Sequence, residues 1–208
     1  MRTLPLPAET VIERLSRIHG LDVGLDEGPF LESFRLLALN VNHMLEQRPG
    51  RSILVMSALP GDGRTLTATL LARAMADLAP PVLLIHADPY GARAGVPSRA
   101  PAEANGSTNH ENGHFFLHDY KPRAGLSPRE FLGDVIETVE ELSSGVMTTV
   151  IDTPPCLNST IAFGLAAKVS GVLYVARPGS GRRVPHADIR TQLDLLGATV
   201  FGVVVNEG

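Results

Sequence analysis

An apolar run that opens into a glycine-rich loop and then into a helix-forming segment most constrains how this chain can fold. The run at 52–57 has the sequence SILVMS, which is typical of a strand buried on both faces. Residues 65–79 are rich in the helix formers Ala and Leu. A strand, a glycine-rich loop and a helix in this order are the context of a phosphate-binding P-loop. The loop departs from the usual pattern at Ala58, where Gly is expected, and at Arg64, where Lys is expected.

Strand-length apolar runs alternate with helical segments along the rest of the chain. Further strands are predicted at 82–87, 115–119, 147–152, 172–176 and 199–205. Further helices are predicted at 8–19, 30–45, 127–142, 158–169 and 184–196, and the helix from Ser127 begins with a capping box and a proline. Because the strands are apolar on both faces, the pattern predicts an α/β fold with a mostly parallel sheet covered by helices on both faces, as in P-loop NTPases.

The chain is predicted to form a single structural domain. Residues 1–50 are expected to be an N-terminal helical segment packed on the core, and residues 51–208 the P-loop α/β domain. Residues 89–114 interrupt the alternation, since they are rich in Gly, Pro, Ala and Asn and contain almost no large apolar side chain. Such a segment cannot offset its ordering entropy by burial, and we expect a mobile surface insertion.

The composition of the chain argues against several classes of protein. The 208 residues carry a formal net charge of −4 with both signs spread along the chain, which argues against a nucleic-acid partner. A single cysteine, Cys156, excludes an internal disulfide and fits a reducing compartment. Apolar runs are of strand length, below the roughly 20 residues that a membrane span requires, and the N-terminus lacks a signal-peptide pattern. We therefore expect a cytoplasmic protein.

The glycine-rich loop is predicted to bind the phosphates of a nucleotide, because glycine allows the backbone to turn its N–H groups toward phosphate oxygens. The residues predicted to bind the nucleotide are Pro60, Gly61, Asp62, Gly63, Arg64, Thr65, Leu66 and Asn206. Asn206 follows the last strand, where its side-chain amide could pair with an adenine edge. The alternative for the loop is an ordinary strand–turn–helix connection without a ligand.

Polar side chains at the ends of predicted parallel strands form a second candidate group. Thr65, Asp88 and Asp152 are predicted to hold Mg²⁺, because magnesium prefers oxygen ligands. Asp88, Arg64 and His86 are the candidate catalytic residues. A neutral His86 cannot replace a carboxylate on magnesium, so a simple hydrogen-bonded imidazole at a strand end is an equally good interpretation of that residue.

Six segments together resemble the bacterial tyrosine kinases of capsule and exopolysaccharide synthesis, a branch of the partition-ATPase-like P-loop proteins. The segments are ESFRLLALN, SILVMSALPGDGRTLTA, VLLIHADPY, TVIDTPP, LYVARPGSGRR and LGATVFGVVVN, and they lie within residues 28–206. The segment TVIDTPP, which contains Asp152, matches the family's Walker B form without change and is the most specific of the six.

The resemblance implies binding of ATP or ADP with Mg²⁺, with Thr65, Asp88 and Asp152 as metal residues. It also implies a membrane-embedded co-polymerase or activator protein as partner, which would bring the chain to the inner membrane. Family members assemble through a helix that corresponds here to the one with Glu32 and Arg35, so a homo-oligomer is expected. The family's usual activity is autophosphorylation of a C-terminal tyrosine cluster.

The chain departs from the family at positions that matter for catalysis. Arg64 replaces the Walker A lysine, His86 replaces the carboxylate that acts as base, and Tyr90 replaces an arginine of the same segment. In the oligomerisation helix, Ala38 replaces a third charged residue, which weakens the expectation of ring assembly. The sequence contains three tyrosines and ends at Gly208 without a tyrosine cluster, so we expect no tyrosine tail.

These departures favour a nucleotide-binding regulatory protein of exopolysaccharide or capsule synthesis and export that is catalytically impaired, a pseudokinase. Arginine keeps the positive charge of lysine but not its compact ammonium group. One alternative is an active ATP-dependent protein tyrosine kinase. A second is a partitioning-type ATPase, which is weaker because Ser57, Ala58 and Leu59 stand where such proteins carry an additional lysine.

Overall fold

The computed structural model describes residues 29–48, 50–88, 107–110, 114–120, 127–178 and 184–207. The predicted helix at 8–19 and most of the predicted insertion at 89–114 lie outside these ranges.

Helices and strands alternate through the described residues except within 82–119, where three strands follow one another, and nearly every predicted element is present. The helices are α1 (Pro29–Glu46), α2 (Arg64–Leu78), α3 (Pro128–Ser143), α4 (Ile161–Ala166) and α5 (His186–Leu195). The strands are β1 (Ser52–Ser57), β2 (Val82–His86), β3 (Ser107–His110), β4 (Phe115–Asp119), β5 (Thr148–Asp152), β6 (Gly171–Ala176) and β7 (Val200–Val205). The predicted capping box of α3 is confirmed: the Ser127 hydroxyl accepts the Glu130 N–H, and the Glu130 carboxylate accepts the Ser127 N–H.

The seven strands form one sheet in the order β3-β4-β2-β5-β1-β6-β7. All neighbouring pairs are parallel except β3 and β4. The predicted α/β fold with a mostly parallel sheet is therefore confirmed.

Two predicted segments differ from the structure. Ser107–His110, which fell within the predicted irregular insertion, forms the edge strand β3 and pairs antiparallel with β4. Its polar sequence gives no apolar signal for a strand, because an edge strand gains its backbone pairing without needing a buried face. The predicted helix at 158–169 is shorter in the structure, since residues 156–158 form a turn closed by the bond from Asn158 N–H to the Pro155 carbonyl.

Helices cover both faces of the sheet, and β1 shows the alternation that requires this. Leu54 and Met56 belong to one buried cluster, together with residues of α3, α4 and α5. Ile53 and Val55 belong to the other buried cluster, together with residues of α1 and α2. Since every residue of β1 is buried, the strand lies at the centre of the core, and the loop that follows it is held in place by that core.

The carboxyl ends of the parallel strands meet at one edge of the sheet. Val55 of β1 is paired with Asp152 of β5, and His86 of β2 is paired with the same Asp152. Segments far apart in sequence thus deliver their last residues to one place.

In the described part of the chain, no helix combines the length and the apolar composition needed to span a bilayer.

Candidate functional site

The loop between β1 and α2 adopts a conformation that depends on its two glycines. Gly61 has φ 86° and Gly63 has φ 91°, which is the left-handed region that other residues rarely adopt. A Cβ atom at Gly63 would also lie 2.3 Å from Nδ2 of Asn206, whereas a Cβ at Gly61 would meet no atom within 4 Å. Gly63 is therefore required both by its backbone conformation and by the close approach of Asn206.

Three side chains hold the loop, one from within it and two from elsewhere in the chain. The Asp62 carboxylate accepts the backbone N–H of Leu59 at 2.9 Å. Nδ2 of Asn206 donates to the Asp62 carbonyl at 3.1 Å, and Nη1 of Arg177 donates to the Gly61 carbonyl at 3.3 Å. These last two bonds draw two loop carbonyls toward protein donors.

The loop N–H groups, by contrast, have no such partners. None of the backbone N–H groups of residues 61–65 donates to an acceptor in the described ranges. They stand at the N-terminus of α2, where unpaired N–H groups and the helix dipole favour an anion. Phosphate binding by the loop stays a prediction, and the unpaired N–H groups at this helix N-terminus are compatible with it. Of the remaining predicted binding residues, Pro60 is exposed and Leu66 is half-buried in the first turn of α2.

Asp152, at the end of β5, is the centre of a buried polar cluster beside the loop. Its Oδ1 accepts from Nε of Arg64 at 2.6 Å. Its Oδ2 accepts from the Thr65 hydroxyl at 2.7 Å and lies 3.1 Å from Nδ1 of His86. With three donors, the Asp152 carboxylate uses most of its accepting capacity within the protein.

Arg64 bridges two carboxylates. Besides its bond to Asp152, it donates from Nη2 to Oδ2 of Asp88 at 3.3 Å. The Arg64 side chain is only 9% exposed and that of Asp88 15%. The residue that should contact the phosphates thus lies between the two predicted metal carboxylates.

The charge state of Asp152 follows from these neighbours. Its burial would by itself raise the pKa of the carboxyl group. The hydrogen bond from His86, the positive charge of Arg64 and the hydrogen bond from Thr65 outweigh that effect and hold the pKa below its ordinary value of 3.8. Asp152 is therefore ionised at neutral pH and carries the negative charge that Arg64 requires.

Thr65, Asp88 and Asp152, the predicted metal residues, do come together, but their arrangement suits a guanidinium better than Mg²⁺. Magnesium requires near-octahedral oxygen ligation, and the carboxylate oxygens of Asp152 already accept from nitrogen and hydroxyl donors. Among the described residues, no group of three or more His, Cys, Asp or Glu side chains is placed to hold a metal ion. Their metal role stays a prediction that this geometry does not favour.

Sequence reasoning missed two relationships in the site. Arg177 was not among the predicted site residues, although a basic residue directly after a parallel strand was the available signal. The bracing of the loop by Asn206 was also missed, because the amide was assigned to an adenine edge. Its bond to the Asp62 carbonyl joins the end of β7 to the loop after β1, a contact across 144 residues.

Cys156 lies under the same loop but is not a candidate nucleophile. Its backbone N–H donates to the Ser57 carbonyl at 2.9 Å, and the residue is 6% exposed within the core. Burial raises the pKa of its thiol to about 11, so the group stays protonated at neutral pH. The cysteine packs as a small apolar residue.

Comparison with known proteins supports the resemblance drawn from the motifs. No family model matches the chain. The chain is 22% identical over 211 residues to the tyrosine-protein kinase CpsD of Streptococcus agalactiae, covering 93% of this chain and 90% of that protein.

Solved structures share the fold. The kinase domain of the Escherichia coli tyrosine kinase ETK is 21% identical with a TM-score of 0.72, covering 85% of this chain and 74% of that one. The chimerical protein CapA2B2 is 20% identical with a TM-score of 0.76, covering 93% and 90%. The predicted resemblance to the bacterial tyrosine kinases of capsule and exopolysaccharide synthesis is confirmed, and the chain is homologous to them.

Two more distant structural neighbours contain nucleotide. An ATP complex of Cyanothece McdA is 21% identical with a TM-score of 0.52, covering 74% of this chain and 68% of that one. A cobyrinic acid a,c-diamide synthase from Mycobacterium smegmatis with bound ATP analogue and magnesium is 17% identical with a TM-score of 0.52, covering 74% and 72%. Both share the fold, and both ligands are those of the neighbours themselves.

Proposed function

We propose that this chain is a nucleotide-binding regulatory protein of exopolysaccharide or capsule synthesis and export, impaired in phosphoryl transfer. The observation that carries the proposal is the position of Arg64, which is bonded to Asp152 and Asp88 instead of standing free beside the phosphate loop. The backbone needed to bind phosphate is complete, whereas the side chains needed to transfer it are bound to one another.

Nucleotide binding is supported by the loop itself. Gly61 and Gly63 have the required left-handed conformations, and the N–H groups of residues 61–65 have no acceptor in the described ranges. ATP or ADP is the proposed ligand, because neighbours with this fold carry ATP or its analogue. Asn206, 3.1 Å from the Asp62 carbonyl, would stand next to the bound nucleotide.

Catalytic impairment is supported by the two substituted positions. Phosphoryl transfer depends on charge placed around the γ-phosphate and on a base that orients the nucleophile. Arg64 is held between carboxylates, and the proposed base position carries His86, whose Nδ1 faces Asp152 at 3.1 Å. The two tyrosines in the described ranges, Tyr120 and Tyr174, are 6% and 7% exposed, so neither hydroxyl is presented as a phosphate acceptor.

The active-kinase alternative has one observation in its favour. Thr65 donates to Asp152 at 2.7 Å, so the hydroxyl and carboxylate predicted to hold magnesium are correctly adjacent. A partitioning ATPase is less well supported, because McdA gives a TM-score of 0.52 against 0.72 for the ETK kinase domain.

A membrane-embedded co-polymerase or activator is the proposed partner. Through this partner the chain would act in the cytoplasm at the inner membrane.

A homo-oligomer that assembles through α1 is also proposed. On that helix, Arg35 donates to Glu32 at 3.2 Å on an exposed surface, and Leu36 and Leu39 are about half exposed. The charged pair and the apolar residues together offer a contact surface.

Calorimetry with ADP and ATP, together with a phosphorylation assay using labelled ATP, tests the proposal. We expect nucleotide binding by the wild-type chain, loss of binding in Gly63→Ala, and no phosphotyrosine in either. The double variant Arg64→Lys with His86→Asp is expected to gain ATPase activity. A phosphotyrosine signal on the wild-type chain that Asp152→Ala abolishes would restore the active-kinase alternative, and no binding at millimolar nucleotide would remove the nucleotide from the proposal.

A further inference from the structure

Two carboxylates at the carboxyl edge of the sheet are joined by a cation that belongs to the protein. Asp88 follows β2 and Asp152 ends β5, and Arg64 contacts both through different nitrogen atoms, Nη2 at 3.3 Å and Nε at 2.6 Å. The guanidinium is planar and remains charged at any physiological pH. A permanent positive charge therefore occupies the position between the carboxylates.

The third nitrogen of the guanidinium remains available. Nη1 of Arg64 donates to no acceptor among the residues that the structure describes. Because Thr148 Oγ1 is the single side-chain polar atom in those ranges that is both buried and unpaired, Nη1 keeps some contact with solvent. Arg64 is also the first residue of α2, directly after Gly63 of the phosphate loop. The guanidinium can thus hold two protein carboxylates on one side and an entering phosphate oxygen on the other.

We propose that the Arg64 guanidinium replaces Mg²⁺ in this site, so that the loop binds the diphosphate of a nucleotide without a divalent cation. A metal in a site of this kind joins protein carboxylates to phosphate oxygens and neutralises both. Arg64 has donors for both sets of oxygens, and its charge is fixed in place by burial. This inference rests on the proposed function, since it requires that the loop binds nucleotide.

The contacts of Asp152 explain why magnesium would not simply displace Arg64. The ion would have to break the 2.6 Å bond of a nearly buried pair, whose arginine is 9% and whose aspartate is 3% exposed. Breaking it would take the closer of two counter-charges away from a nearly buried guanidinium and leave only Asp88 at 3.3 Å, which is unfavourable. Magnesium in addition gives up its water ligands reluctantly. Lysine at position 64 would make magnesium binding easier, because a single ammonium cannot span both carboxylates as the guanidinium does.

The test is nucleotide affinity measured by calorimetry in excess EDTA and again in millimolar Mg²⁺, for the wild-type chain and for Arg64→Lys. We expect the wild-type dissociation constant for ADP to differ by less than about threefold between the two conditions. For Arg64→Lys we expect magnesium to tighten binding by about tenfold or more. Arg190→Lys is the matched control, since Arg190 pairs with Asp194 on the exposed face of α5, and it should behave as wild type.

A second readout uses Mn²⁺ as a spectroscopic probe in the presence of ADP. The electron paramagnetic resonance signal of free Mn²⁺ should fall no further with wild-type protein than with ADP alone, and should fall with Arg64→Lys. Wild-type binding that requires a divalent cation would overturn this inference and leave the proposed function standing. If ADP binds neither in EDTA nor in Mg²⁺, this inference and the proposed function are both overturned.

Discussion

The glycine-rich loop after β1 and the carboxylate cluster after β2 and β5 lie at the same edge of the sheet, yet different interactions hold them in place. The loop is held by backbone conformation, with Gly61 and Gly63 at positive φ. The cluster is held by side-chain charge, with Arg64 bonded to two carboxylates. The backbone conformation of the loop and the side-chain pairing beside it are therefore maintained by different interactions.

The largest expected effect is a loss of stability when the carboxylate cluster is disrupted and the loop is left unchanged. Asp152→Ala leaves Arg64 without its closest counter-charge in a buried setting, and we expect a loss of about 3–5 kcal/mol in the free energy of unfolding. Urea denaturation would measure it. The matched control is Asp194→Ala, which breaks an exposed pair on α5 and should cost less than about 1 kcal/mol. Equal losses in the two variants would show that the cluster does not stabilise the fold.

A second prediction addresses the loop alone. Gly63→Ala places a Cβ 2.3 Å from Nδ2 of Asn206 at a positive φ, and we expect about 1–3 kcal/mol of destabilisation. Gly61→Ala has a similar φ but open space around its Cβ, so it should cost less. Thermal unfolding of both variants would separate the stability cost of the close contact with Asn206 from the cost of backbone strain. The contact argument fails if the two variants lose the same stability.

The third prediction concerns pH. Because the pKa of Asp152 in the folded protein lies below its ordinary value of 3.8, its ionised form stabilises the fold above that value. This contribution is lost as the pH falls through the lowered pKa. The effect should be smaller than that of Asp152→Ala, because a protonated carboxyl group keeps some hydrogen bonds. Urea denaturation across the acid range should show a flatter pH dependence in Asp152→Asn than in wild type.

The smallest expected effect tests the contact between the end of β7 and the loop. Asn206→Ala removes the bond from Nδ2 to the Asp62 carbonyl, and we expect a loss of about 1 kcal/mol in stability. Nucleotide affinity should fall as well, since the loop loses one of its braces. If calorimetry finds lower affinity without any loss of stability, Asn206 contacts the nucleotide directly instead of bracing the loop.

Much of the fold could be predicted from local pattern. The apolar strands and the helix starts follow from hydrophobic periodicity and capping residues, as at Ser127 and Glu130. The edge strand Ser107–His110 could not be found in this way, because its pairing with β4 is a backbone contact that leaves no apolar signature. The short helix Ile161–Ala166 was predicted too long, since its ends are set by turns.

The sequence by itself determined the conformation of the loop after β1, because glycine at positions 61 and 63 and an adjoining helix start dictate a local backbone geometry. The motifs in the sequence also predicted Arg64, Asp88 and Asp152 as site residues. Only the tertiary structure decided that Arg64 bonds to the two carboxylates, since they reach it from β2 and β5 across 24 and 88 residues. Side-chain pairing between strands depends on register and burial, and the order of strands in a sheet is set by packing of the whole core.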